Sequence, residues 1–248
     1  DTGSEEWSFS TAGRIRSSAT VVNGVVYVGS YDNSVYAIDA DTGNKEWSTA
    51  TNDLIDSSPT VANGIVYIGS HDNSVYAFDA DTGGEEWNYP TGSSVVSSPT
   101  VAEGTVYIGS DDNSLYALDA DTGGEEWNYP TGSSVVSSPT FADGTVYVGS
   151  DDNSVYAFDS DTGTEKWSVS TGSTVDSSPT VVDGTLYVGH SNSLNAYDTG
   201  HSKSSEGSRM YYGTLGHNEL KVTDGSEYSL GHPITGTVTD NGGDPVAN

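Results

Sequence analysis

The chain has 248 residues, 33% hydrophobic and 10% aromatic, enough to fill a packed core and too apolar for a disordered chain. Seven Lys and Arg face 36 Asp and Glu, a formal net charge of −29, and cysteine is absent. This excludes a phosphate-binding basic surface, and nucleic acid with it, as well as disulfides, thiolate metal sites and a cysteine nucleophile.

The first residues, Asp1 to Trp7, carry a Thr-Gly turn followed by Glu5-Glu6-Trp7, a motif that returns further along as the lead into a strand. No signal peptide is visible, and the sequence opens inside this motif, as an excised or processed piece would. Trp7, Trp47, Trp87, Trp127 and Trp167 stand 40 residues apart. Gly24, Gly64, Gly104, Gly144 and Gly184 keep the same period, as do Tyr27, Tyr67, Tyr107, Tyr147 and Tyr187. Such self-similarity marks units that bury their apolar faces against neighbouring copies.

The second repeat displays the elements. Residues 58–61 read as a first strand, Asn63-Gly64 as a two-residue hairpin turn, and 65–69 as a second strand rich in β-branched and aromatic residues. A polar turn at 71–74 leads to a third strand at 75–78. The turn at 79–83 ends on Gly83, suited to positive φ, and 85–89 is a fourth strand. No capped stretch of helical period interrupts the repeats. Four short strands per 40 residues predict an all-β, five-bladed β-propeller over 1–200.

In the fifth repeat, Ala196 to Gly200 keep the pattern but no tryptophan follows. The simplest closure pairs the strand around Trp7 with the segment Leu194 to Asp198, sealing five blades into a ring without open edges. The alternative is an arc of a longer propeller. Residues 201–232 are Ser/Gly-rich and read as a linker or capping segment, with 208–213 a candidate short strand.

The pattern Ala37-x-Asp39-x-x-Thr42-Gly43-x-x-x-Trp47 recurs at 77–87, 117–127 and 157–167. It resembles the PQQ-like (quinoprotein-like) propeller repeat family, with an architecture of the BamB-like kind. The likeness covers about 1–200 and implies that Trp7, Trp47, Trp87, Trp127 and Trp167 pack between blades as structural residues. That family more often has seven or eight blades, so five is a departure. Residues 233–248 resemble the opening of a carboxypeptidase-regulatory-like β-sandwich, cut short.

Some members of this repeat family are quinone-dependent dehydrogenases. The resemblance to them would call for calcium-bound quinone, an acidic base and, in several, a vicinal cysteine pair. Cysteine is absent, and the acidic residues recur wherever turns need them, whereas chemistry needs unlike residues converging on one point. The Asp-x-Asp-Thr-Gly turns lack the further oxygen ligands of a calcium loop, and the five histidines lack zinc-site spacing. The reading expects no catalytic residue, no cofactor and no metal.

Repeat symmetry is broken on one face. Second-to-third strand loops carry Tyr31, His71, Asp111, Asp151 and His190, and the neighbouring blade entries carry Arg14, Arg16, Asp56 and Asp176. Loops on a rigid scaffold vary freely, so this is the candidate recognition face, with drift of exposed residues as the plainer explanation. Arg16 flanked by Asp56 and Asp176 would fit a closed five-blade ring. The acid excess has two readings, capture of a cationic partner or a surface adapted to molar salt, and its even scatter favours the second. The expectation is a monomeric, non-catalytic binding or scaffolding propeller of a halophilic surface or secreted protein, extracellular or in the cell envelope. Its partner is an unnamed protein or cell-surface component, with no nucleic acid and no membrane span. A quinone-dependent oxidoreductase and a purely structural spacer are the alternatives.

Overall fold

A computed structural model describes residues 3–200 and 210–211. The first blade comprises β1 (Thr20–Val22), β2 (Val25–Gly29), β3 (Ser34–Asp39) and β4 (Lys45–Ala50). The second has β5 (Thr60–Ala62), β6 (Ile65–Ser70), β7 (Ser74–Asp79) and β8 (Glu85–Pro90). The third has β9 (Thr100–Ala102), β10 (Thr105–Gly109), β11 (Ser114–Asp119) and β12 (Glu125–Pro130). The fourth has β13 (Thr140–Ala142), β14 (Thr145–Ser150), β15 (Ser154–Asp159) and β16 (Glu165–Ser170). The fifth has β17 (Thr180–Val182), β18 (Thr185–His190) and β19 (Ser193–Asp198), joined by β20 (Met210–Tyr211). Each of the first four is an antiparallel meander in chain order. The fifth runs β19-β18-β17-β20.

Local chemistry sets each turn. Asn23-Gly24 and Asn63-Gly64 hold positive φ at both residues, the conformation that matches hairpin turns to strand twist. The third turn is clasped by its aspartate, whose Oδ1 accepts from the Thr82 N–H at 2.7 Å and the Thr82 hydroxyl at 2.7 Å in the second blade. A register shift between Ala77 and Phe78 then bends the outer hairpin.

The first strands begin at Thr60 and its equivalents, two residues later than the sequence suggests. Ser58 and Pro59 are held by the neighbouring blade instead. The Ser58 N–H donates to Ser98 Oγ at 2.9 Å, and the Thr60 hydroxyl donates to the Pro99 carbonyl at 2.6 Å. The same pair of bonds recurs from Ser18 and Thr20 to the second blade, from Ser98 and Thr100 to the fourth, and from Ser138 and Thr140 to the fifth. Proline fits here because its missing N–H is not needed by a ladder.

The core lies between blades rather than within one. Val66, Ile68 and Phe78 of the second blade pack with Tyr27, Val35 and Trp47 of the first, and this pattern repeats at the next junctions. Each indole spans a junction: Trp47, Trp87 and Trp127 donate Nε1–H to the carbonyls of Ala80, Ala120 and Ser160 at 2.8, 2.9 and 2.8 Å. Gly83, Gly123 and Gly163 lie flat beneath these rings at positive φ, where an added Cβ would come within 2.6 Å of the indole.

The expected ring closure is not what the structure places. Residues 3–10 form no strand, and β19 is the outermost strand of its sheet, with no partner from the N-terminal segment. β1 packs on β5, β5 on β9, β9 on β13 and β13 on β17, with no comparable packing of β17 on β1. Trp7 docks on the first blade as Trp47 docks on the second, its indole donating to the Ala40 carbonyl at 2.8 Å and covering Gly43. But β19 does not reach it: curvature accumulated over five blades leaves the segment on the first blade without its sheet. The described residues therefore form an open arc of five blades. Tyr187, expected in the core like its four equivalents, is 40% exposed, because no following blade covers it among the described residues. The short strand foreseen at 208–213 is found as β20, paired to β17. The remainder of the linker and module foreseen over 201–248 lies outside the described residues.

Candidate functional site

The face nominated by broken symmetry is built from two sets of loops that hydrogen-bond to each other. The Tyr31 N–H donates to the Arg14 carbonyl, His71 to Leu54, Asp111 to Ser94 and Asp151 to Ser134, at 2.8 to 2.9 Å. A latch secures each pair: Asp32, Asp72, Asp112 and Asp152 accept from the entry N–H groups of Ala12, Asn52, Gly92 and Gly132. The same carboxylates accept from Tyr36, Tyr76, Tyr116 and Tyr156 at 2.6 to 2.8 Å. Burial would raise the Asp32 carboxyl, but the Tyr36 hydroxyl and the Ala12 N–H outweigh it and hold it below the usual carboxylate range. From sequence alone these aspartates read only as turn residues. The signal for the latch was there, a tyrosine always four residues after the aspartate.

At one end of the arc the nominated residues form a connected cluster. Arg16 donates to the Tyr31 hydroxyl at 2.8 Å and its guanidinium lies 5.7 Å from the ring centroid. Tyr31 in turn donates to the Asp56 carboxylate at 2.6 Å, which also meets His71 Nε2 at 2.9 Å and Arg16 Nε at 3.8 Å. The Arg16 guanidinium is held more basic by Tyr31 first and by Asp56. Arg16 is 65% exposed in its side chain, so this pair adds little to stability.

The other end is acidic. Burial raises the Asp111 carboxyl, with Asp112 adding to the effect and His71 opposing it. Asp151 is pushed up to about 6, first by burial and then by Asp176, with Asp111 and Asp152 contributing. The expected bracketing of Arg16 by two carboxylates is thus half right. Asp56 is beside Arg16, whereas Asp176 faces Asp151, because each blade entry meets the loop of the blade before it, as Asp56 meets Tyr31. His190 closes the series, its Nδ1 2.9 Å from the Ser173 hydroxyl.

The repeat resemblance implies a calcium-bound quinone. A quinone with calcium needs convergent oxygen donors. Among the described residues no group of three or more His, Asp or Glu is placed to hold a metal ion. The indoles that could stack on a flat cofactor lie between blades, and four of them have Nε1–H bound. These residues do not fit the group. On the opposite side of the arc a crevice of about 410 Å³ opens between the first two blades, lined by Val22, Tyr27, Val61 and Asp81 among others, with no cluster of reactive groups. No helix among the described residues is long and apolar enough to cross a membrane.

Radial four-stranded sheets with interlocked junctions define the class: this is a β-propeller protein of the PQQ-like, BamB-like kind. Over residues 1–206 it matches the β-propeller of the β-alanine-activating enzyme, and the chain belongs to that family. Among curated proteins no sequence relative matches. Solved structures share the fold. BamB from Moraxella catarrhalis superposes with a TM-score of 0.71 at 21% identity, over 79% of this chain and 62% of that one. The computationally designed Ika8 protein gives 0.67 at 19% identity, over 73% and 57%. The quinohemoprotein alcohol dehydrogenase ADHIIG from Pseudomonas putida HK5 gives 0.64 at 20% identity, over 82% and 42%. The matched part of this chain spans 62% or less of these structures.

Proposed function

We propose that this propeller is a non-catalytic recognition and scaffolding module of a halophilic surface or secreted protein, extracellular or in the cell envelope. It binds a protein partner through the loop face. One observation carries the reading. The junction residues repeat blade after blade, while the loop position on this face changes from Tyr31 to His71 to Asp111 and Asp151. The polarity along the arc, arginines at one end and interacting carboxyls at the other, orients a partner more than it binds one tightly. The net charge of −29, spread over every repeat, supports the high-salt setting, where screening relieves self-repulsion.

The competing reading is a quinone-dependent oxidoreductase, favoured by the quinohemoprotein alcohol dehydrogenase that shares the fold. The donor set argues against it. A spacer without a binding role is the third.

The test is site-specific photo-crosslinking in molar KCl. A photoreactive side chain at Asp111 should trap one discrete partner from a halophile envelope extract, and the same group at Asn63, on the opposite turns, should not. Equal trapping at both positions, or none at Asp111, refutes the recognition face.

A further inference from the structure

The two ends of the arc are halves of one junction. Residues 7–12 lie on the first blade as an outer strand lies on the blade that follows it. Trp7 reaches Ala40 as Trp47 reaches Ala80, and Phe9 meets Tyr36 edge-on at 5.4 Å, where Tyr89 meets Tyr116 at 5.6 Å. The Ala12 N–H is latched by Asp32 at 2.8 Å, as Gly92 is by Asp112. Yet this segment belongs to no sheet. It is an outer strand docked in place without its blade.

Among the described residues the fifth blade is the reverse, a sheet without that strand. Leu194 on β19 is 74% exposed, while its equivalents Val35, Val75, Leu115 and Val155 are fully buried. Thr180 is exposed where Thr20, Thr60 and Thr140 are buried and donate to the next blade. On the first blade, Ser18 and Ala19 present the matching acceptor side, and both are exposed.

We propose that two copies of this chain join head to tail. The N-terminal segment and first blade of one copy complete the fifth blade of another, continuing the junction found four times within the arc. Register follows from the repeat: Trp7 pairs opposite Ala196 as Trp47 pairs opposite Ala37. A contact between unlike surfaces can propagate, so a ring or a short filament is the expected product, a departure from the monomer expected from the sequence. Each copy carries −29, so association strengthens as salt rises. This inference is independent of the recognition face.

The test is sedimentation of the full chain in about 2 M KCl at up to about 100 μM. Wild type should form species larger than a monomer. Leu194→Lys blocks one end and Trp7→Ala the other, both at positions outside the closed core, so circular dichroism should remain that of wild type. Each variant alone should sediment as a monomer, or with an affinity at least about tenfold weaker. Mixed, they should form a dimer and nothing larger, because one free head meets one free tail. A wild type that stays monomeric, or association that survives both substitutions, overturns the proposal. So does a cross-link between Ser8→Cys and Asn195→Cys that forms within one chain, which would instead show a five-blade ring closing on itself.

Discussion

Removing one junction indole should separate the arc's core from its docked N-terminal segment. Trp87 is 8% exposed, donates to the Ala120 carbonyl at 2.9 Å and lies 5.8 Å from Tyr67, ring centre to ring centre. Burial of an indole at this depth contributes about 4 kcal/mol, taking about 25 cal/mol per Å² and allowing for a partly compact unfolded chain. The lost hydrogen bond adds about 1 kcal/mol and no more, since the Tyr67 hydroxyl still donates to the Ala120 carbonyl at 3.1 Å. Trp87→Ala should therefore cost about 4–5 kcal/mol. Trp7 makes the same bond at 2.8 Å but sits in a segment outside every sheet, which can detach while the blades stay folded. Trp7→Ala should cost global unfolding about 1 kcal/mol or less, and instead speed amide exchange in residues 3–12. Urea titration followed by circular dichroism, in fixed molar KCl, reads the first quantity, with midpoints compared because repeat arrays can lose two-state behaviour. Equal costs for the two substitutions, or under about 1 kcal/mol for Trp87→Ala, would refute the view that junction packing carries the fold.

Three further outcomes follow from the same geometry. Gly123→Ala should destabilise by about 2 kcal/mol or more in the same titration, because φ is +69° and the new methyl would meet the Trp87 ring at 2.6 Å. Thr60→Val keeps shape but removes the donor to the Pro99 carbonyl, and should cost about 1 kcal/mol; no loss would show that the inter-blade ladder is passive. The Asp151 carboxyl, pushed up to about 6, is favoured in its protonated form, so its contribution is fully present below the ordinary aspartate range and is lost as pH rises through about 6. Asp151→Asn should remove about 1 kcal/mol of the stability change between about pH 4 and pH 7, after discounting for screening at the open face. Unchanged pH profiles would contradict the facing of Asp151 by Asp176.

Most of the fold could be read from periodicity because each blade repeats the same physical solution. Trp47, Gly83 and Thr60 recur at fixed spacing since a junction needs a flat ring, a residue without Cβ beneath it and a hydroxyl across from a proline. Closure could not be read. The segment around Trp7 and the segment around Leu194 match as strand partners in sequence, but whether they meet depends on curvature accumulated over five blades, a global quantity no local spacing records. Asp176 was not legible either: each entry meets the preceding blade's loop, so it faces Asp151 as Asp56 faces Tyr31, and not Arg16. The variable loop face was legible as broken symmetry. Its internal wiring was not: the bond from Tyr31 to Asp56 joins residues 25 apart in neighbouring blades, and nothing in either local sequence announces the other.

The reading of this propeller as a binding scaffold rather than a redox enzyme is tested most directly by titration with pyrroloquinoline quinone and calcium. The account predicts no shift in the quinone absorption spectrum, no quenching of the junction indoles and no dye reduction with primary alcohols. A saturable spectral shift accompanied by alcohol-dependent dye reduction would contradict it.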